Sequence, residues 1–406
     1  MVHPDTSRGP RRLVVGAGFV AVAISFMNVT TYAFTALVAR SVAPSVFGEV
    51  TALMGILLVG SVAALGLQAT TARRLATCPA DQRAHLTRDA ARATVVIGSS
   101  ATLLVLVLSP LLLQVLALEH WAPLAVVAVT LLPLAVFGTQ AGVAQGTNRW
   151  RHLALLYVGV GAGRMVFGTL GALIAPTATG ALVGVLIGAL VPVAIGWRLL
   201  LAPPGPDHGP ATARDMVVET LVGSQALLAF FAVTNADAVL ARVVLSADDS
   251  GLYAAGLIVA KAALFLPQFV AIVVFPTLAR ADRPGVRRAA LFSVAALGAV
   301  AALGTWLLPD LALVFAGGDR YAQVTDLLPL FAVEGAVFAV VNLLVYDSLA
   351  ERSARMVVAL WSVLAGVVLT VVLFVDTLAG LVLTMIVAGL CSCVAHIVLR
   401  GNPARQ

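Results

Sequence analysis

Lysine is all but missing from this chain: Lys261 is the only one in 406 residues, and arginine supplies every other basic charge. Charge of either sign is scarce too, at 11% of residues, where soluble domains run near 25%. That excludes an ordinary water-soluble globular protein, and with it the nucleic-acid binder that a pI near 9.8 would otherwise suggest. Cysteine is limited to three residues. Cys78 lies in a basic loop, and Cys391 and Cys393 lie in the last apolar run, so no disulfide framework is expected. The histidines, among them His85, His152, His208 and His396, are scattered without ligand spacing, and neither a metal nor a cofactor is expected. No HExxH, GxSxG or GxxxxGK motif occurs. An enzyme is therefore not expected, and any transport must draw on a gradient or on the membrane potential. Long loops are absent as well, which excludes a glycosyltransferase or polymerase with a catalytic loop outside the membrane.

What remains is apolar. The chain is 61% hydrophobic, with a mean hydropathy of +1.03, and reads as an all-α integral membrane protein. Runs long enough to cross a hydrocarbon core about 30 Å thick number about twelve: 14–38, 48–71, 93–117, 121–146, 153–175, 178–201, 216–241, 251–278, 289–314, 324–349, 355–375 and 377–399. The first is too long for a signal-peptide core and is read as a retained span. Twenty of the 25 basic residues fall on alternate loops, while only Arg40, Arg242 and Arg320 fall on the others. The positive-inside rule then places both termini in the cytoplasm. The arginine bias points to a bacterial genome, hence to a bacterial cytoplasmic (inner) membrane. The segment 73–92 reads as a short basic surface helix, and the PPGPDHGP stretch within 202–215 reads as a linker.

That linker divides the chain into two six-helix bundles, 1–201 and 216–406, and the halves match at a nearly constant offset. Ala39-Arg40 recurs as Ala241-Arg242, 202 residues on; Gly48 recurs as Gly251, Leu75-Ala76 as Leu278-Ala279 and Ala162-Gly163 as Ala365-Gly366, each 203 residues on. Six spans per half make this a parallel repeat, an architecture suited to rocking about a site near the midplane.

Polar residues inside the spans supply the candidate site. Lys261 lies ten residues into the eighth span, about 15 Å below its start at 1.5 Å per residue. An ammonium at that depth costs about 2.5–3.5 kcal/mol even on insertion scales. Gln268 shares its face, and Pro267 weakens the helix beside it. Two readings stand open: a wall of a polar cavity, or a lysine snorkelling to the headgroups. On the first span Ser25, Asn28, Tyr32 and Thr35 share a face, and its repeat partner carries Ser224, Gln225, Thr234, Asn235 and Asp237. They are either a cavity wall or glue between helices. Asp237 has Arg242 nearby as a possible neutralising partner. Arg164 lies mid-span on a face with Tyr157, Gly161, Gly168 and Gly171. Glu334 is the other deep charge, and it either pairs with Lys261 or Arg164 or carries a coupling ion. Asp237 and Glu334 are the coupling-ion candidates. Gly180, Gly184 and Gly188 form a seam of small residues for close helix packing.

Four stretches carry a family resemblance. Residues 39–49, ARSVAPSVFGE, resemble the R-x-x-x-P-x-x-F-G elbow after the first span of bacterial polysaccharide (Wzx-type) flippases. Residues 66–76, GLQATTARRLA, resemble the ending of their second span, and 145–151, QGTNRWR, their turn between spans four and five. Residues 265–280 resemble their eighth span with its F-P-x-L-x-R exit. The resemblance covers the whole chain. It implies the multidrug/oligosaccharidyl-lipid/polysaccharide exporter fold, and alternating-access flipping of a polyprenyl-diphosphate-linked oligosaccharide for cell-surface polysaccharide biosynthesis. Lys261 and Arg164 would then face the diphosphate, with Gln268, Asn28, Tyr32 and Asn235 lining the cavity. Membrane lipids, a polysaccharide polymerase and glycosyltransferases are the implied partners. Lipid II flippases resemble fourteen-span proteins with a more basic cavity, from which this chain departs. A cation-coupled multidrug exporter of the same superfamily is the alternative.

Overall fold

A computed structural model describes the backbone over residues 8–201, 211–278, 284–350 and 354–400, and side chains over 18–201, 213–265, 289, 291–345 and 355–399. Among these residues the chain is helical throughout and has no strand. In chain order the helices are α1 (Arg8–Ser41), α2 (Pro44–Thr77), α3 (Arg83–Val115), α4 (Ala122–Gly146), α5 (Trp150–Ile174), α6 (Ala178–Gly196) and α7 (Ala211–Gly223). There follow α8 (Gln225–Val244), α9 (Ala247–Leu278), α10 (Pro284–Leu307), α11 (Pro309–Ala316), α12 (Leu328–Ala350), α13 (Ala354–Phe374) and α14 (Leu378–Arg400). Ten of the described helical stretches are long and apolar enough to cross a membrane, and α10 with α11 makes an eleventh if that bent pair is one span. The backbone of α9 covers the remaining expected span, 251–278. Large exposed side chains such as Leu103, Val107, Ile174, Trp306 and Phe374 are what a lipid-facing surface requires. The backbone polar groups beneath them are satisfied within the helices.

Three sequence expectations need correction. The segment 73–92 is not a separate surface helix: α2 runs on to Thr77 and α3 starts at Arg83, with one short 3-10 turn between. The span expected at 216–241 is broken at Ser224, between α7 and α8. The span expected at 289–314 turns through 102° between Leu307 and Pro309. Pro309 takes the first position of α11, where its missing N–H costs nothing, while the residue before a proline is pushed out of the α region. Leu308 is accordingly non-helical, at φ −127° and ψ 60°.

The packing is the same in both halves. In the first, α2 packs on α4, α3 on α4, α1 on α5, α4 on α6, α5 on α6 and α2 on α3. In the second, α9 packs on α12, α10 on α12, α8 on α13, α12 on α14, α13 on α14 and α9 on α10, which is that pattern in the same order. Close approach relies on small residues, since apolar contact alone gives helices in lipid no preference for one another. A Cβ on Gly184 would strike the backbone of Phe167 and Gly168, and one on Gly188 the backbone of Gly163. Gly138, Gly142 and Gly146 take α2 in the same way, at Ala64, Gln68 and Ala72. The halves meet where α2 packs on α8 and α9, with a smaller contact of α1 on α9 and of α7 on α2 and α3.

Candidate functional site

The deep charges gather in the second half. Asp237 on α8 and Glu334 on α12 are both buried, and their carboxyls lie within hydrogen-bonding reach of one another. Oδ2 of Asp237 and Oε2 of Glu334 are buried without a hydrogen-bond partner, an expensive arrangement for two acidic groups in a low-dielectric interior. The hydroxyl of Tyr253 on α9, fully buried and without a hydrogen-bond partner, stands near enough to feel both charges. Its ring is fixed edge-on against Phe331, with centroids 5.0 Å apart. Sequence reading missed Tyr253; its one signal was a phenol in an otherwise apolar run two residues after Gly251.

Lys261 is electrostatically close to both carboxyls but forms no direct ion pair with either. Its ammonium instead donates to the main-chain carbonyl of Thr234 and to Oδ1 of Asn235, the latter at 3.2 Å. Asn235 in turn donates from Nδ2 to the Phe231 carbonyl at 2.8 Å. The local sequence explains why that carbonyl accepts. Ala238 N–H, the helical partner of the Thr234 carbonyl by position, donates to Oδ1 of Asp237 at 2.8 Å. One aspartate thus draws on the amide whose helical acceptor is the carbonyl that Lys261 uses. Arg242 does not neutralise Asp237, for its guanidinium reaches the Leu116 carbonyl and Ser250 Oγ.

The site lies against the seam between halves. Gly55 of α2 packs on α8 at Asn235 and Ala238, and Tyr32 of α1, half-buried, lies near Ala262 of α9 with its hydroxyl lacking a hydrogen-bond partner. Asn28 lies one turn earlier on α1, also half-buried. Arg164 stands apart: its neighbours Leu57, Thr130, Leu134, Val160, Val185 and Ala189 all belong to the first half. It opens a π-turn, Arg164–Gly168, within α5, and single π-turns are frequent at functional positions. The side chain of Gln268 lies outside the described residues. Among those residues no group of three His, Cys, Asp or Glu side chains is placed to hold a metal.

Two of the family-like stretches come together near the ends of α2 and α4. Gln68 Nε2 lies 3.0 Å from Gln145 Oε1 and 2.9 Å from the Tyr157 hydroxyl. Nearby, Glu219 of α7 accepts from Arg74 Nε and Nη2 at 2.8 and 2.7 Å and also pairs with Arg73. Neither cluster was foreseen, because each joins residues 77 to 145 positions apart.

No protein-family model and no curated protein matches the chain. Solved structures do. A multidrug resistance MATE family transporter of the MOP superfamily, in an inward-facing conformation, superposes with a TM-score of 0.62 at 11% identity, over 95% of this chain and 100% of that one. The lipid II flippase MurJ, inward closed, gives 0.74 at 11% identity, over 94% and 87%. A eukaryotic MATE transporter gives 0.61 at 13% identity, over 96% and 95%. At such identities the likeness shows the fold: this is an all-α, multi-pass membrane protein built like the MOP-superfamily transporters.

Proposed function

We propose that the protein is a membrane transporter that flips a polyprenyl-diphosphate-linked oligosaccharide across a bacterial cytoplasmic membrane by alternating access, with both termini in the cytoplasm. The observation that carries this reading is the state of Lys261. A cation deep in a span is costly unless it is paired, and this one, half-buried, rests on a carbonyl and an amide oxygen with no direct ion pair to the nearby carboxyls. Its positive charge is therefore available to an anion entering at the seam. Charge-assisted bonds to a diphosphate would be strong there, where water is scarce. Tyr32 and Asn235 flank it, and the four family-like stretches support the choice of cargo. Arg164, inside the first half, reaches the diphosphate only if α5 and α6 move. Membrane lipids, a polysaccharide polymerase and glycosyltransferases are the expected partners.

The second reading, a cation-coupled multidrug exporter, is favoured by the Asp237–Glu334 pair, since two buried carboxyls with unpartnered oxygens are suited to taking up a coupling cation. Proteoliposomes separate the two. With a fluorescent polyprenyl-diphosphate oligosaccharide in the bilayer, a membrane-impermeant quencher should gain access to the headgroup in a protein-dependent way, and Lys261→Ala should slow that access. Efflux of a cationic dye, abolished by Asp237→Asn and unaccompanied by headgroup access, would establish the exporter instead.

A further inference from the structure

The repeat-related residues do the same work twice on the face opposite the termini. Arg40, at the end of α1, donates from Nη2 to the carbonyl of Val314 in α11 of the second half. Arg242, its repeat partner at the end of α8, donates from Nε to the carbonyl of Leu116 at the end of α3 in the first half, at 3.1 Å. Each arginine thus crosses to the opposite half, and each finds the C-terminal turn of that half's third span. Both turns close on a residue of positive φ, Ala117 at 47° and Gly317 at 124°. Carbonyls at such an end carry no helical partner and sit at the negative pole of the helix dipole, so a guanidinium is the natural cap.

The repeat-related glycines lie between the two arginines. A Cβ on Gly48 would strike Ser250 and the amide of Gly251, and one on Gly251 would strike the carbonyl of Pro44. Here α2 and α9 touch backbone to backbone. The same elbow supplies Pro44 as the first-turn residue of α2 and Phe47, whose ring meets Tyr321 edge-on at 6.0 Å. The Tyr321 hydroxyl donates to the Ala39 carbonyl at 2.9 Å and Arg320 Nη1 to that of Val42 at 3.4 Å. On the terminal face, among the described residues, the cross-half ion pairs are those of Glu219 with Arg73 and Arg74.

We propose that Arg40 and Arg242 form a paired latch that holds this face shut, and that the face opens only when both guanidiniums leave their carbonyls. The proposal deepens the alternating-access reading and rests on it. Because the latches are in parallel between the same two bodies, losing one leaves the other to keep the closed state dominant. Losing both leaves only the bonds of Tyr321 and Arg320 to Ala39 and Val42, too few to keep the closed state dominant. The Gly48–Gly251 crossing is the pivot that brings each guanidinium within reach.

The test is pulsed electron–electron distance measurement on the full chain in lipid nanodiscs. Cys78, Cys391 and Cys393 are replaced by serine or alanine, and spin labels are placed at P176C and D376C, exposed turns of opposite halves on this face. We expect one short distance in the parent, and a long-distance share that rises about tenfold for R40Q or R242Q alone, as the loss of one charge-assisted bond predicts. In R40Q/R242Q the long distance should dominate. An unchanged distribution in the double variant overturns the latch. Should that variant not fold, unchanged distributions in the two single variants overturn it equally. Adding the polyprenyl-diphosphate oligosaccharide separates the two ideas. If the probe moves the parent's distances while the variants match the parent, the latch fails and alternation stands. If the variants open but no probe is ever flipped, the latch stands as a property of the fold and the choice of cargo fails.

Discussion

The two halves are alike at one face of the membrane and unlike in its middle. At the face opposite the termini, Arg40 and Arg242 cap carbonyls of the other half, and Gly48 and Gly251 meet at the crossing of α2 and α9. In the middle the correspondence is gone. The position 203 residues before Lys261 is Leu58, that before Glu334 is Leu131, and that 202 before Asp237 is Thr35. Conversely, Arg164 maps onto Val367, a buried side chain in α13. A duplicated scaffold has kept what joins the halves and assigned the deep charges to one half or the other. Joining needs both copies in register, whereas a central site needs each charge once.

Breaking the asymmetry should give the largest effect. Lys261→Ala should lower headgroup access in proteoliposomes at least tenfold, about what one lost charge-assisted bond represents, with insertion and yield unchanged. Activity equal to the parent would remove Lys261 from the site. Adding the missing charge to the other half is the converse experiment. Leu58→Lys should destabilise the detergent-solubilised protein by about 2.5–3.5 kcal/mol, since the second half's Asp237, Glu334 and Asn235 have no counterparts there. A melting temperature like the parent's would mean that the first half also offers a polar site.

The symmetric face calls for matched effects. Gly48→Ala and Gly251→Ala each push a methyl into the opposing segment, and each should cost about 1–3 kcal/mol as overpacking does, read as comparable falls in melting temperature. A large loss for one and none for the other would break the equivalence. The smallest effects belong to the terminal face. Gln68→Ala removes bonds to Gln145 and Tyr157 and should cost about 1 kcal/mol. Arg74→Ala, at a half-exposed ion pair, should cost at most about 1 kcal/mol.

Much of the fold was legible because hydropathy, unlike side-chain geometry, is additive along the chain. The spans, the alternation of basic loops and the repeat were all readable from composition over windows. The broken helices were less so. Ser224 carries no strong breaker signal, and Pro309 sits inside an apolar run whose overall length still suits one span. Of the site, Asp237, Asn235, Lys261, Glu334 and Tyr32 were singled out as polar groups in apolar runs, and the structure brings them into one region. Arg164 was singled out on the same grounds and lies elsewhere, because depth in a span says nothing about which bundle a residue faces. Which carboxyl meets which, and that Thr234 contributes its backbone rather than its side chain, depends on contacts between helices that no single helix encodes.

The acceptors of the two arginines are main-chain carbonyls, and a carbonyl is present whatever side chain its residue bears. The glycines act through atoms that are not there. An interface made this way writes little into the letters of the sequence: Val314, half-exposed, is free to drift, whereas Leu116 is held by its own burial in the core and not by the joint. Two lineages can therefore keep the same joint while losing nearly all recognisable identity, which accords with superposition at 11% identity alongside the lack of any family match. Saturation mutagenesis should show this as tolerance at 314 beside intolerance at 48 and 251, with single changes at 40 or 242 giving only partial loss. The memory of the ancestral duplication is held in a few positions and in the shape they enforce.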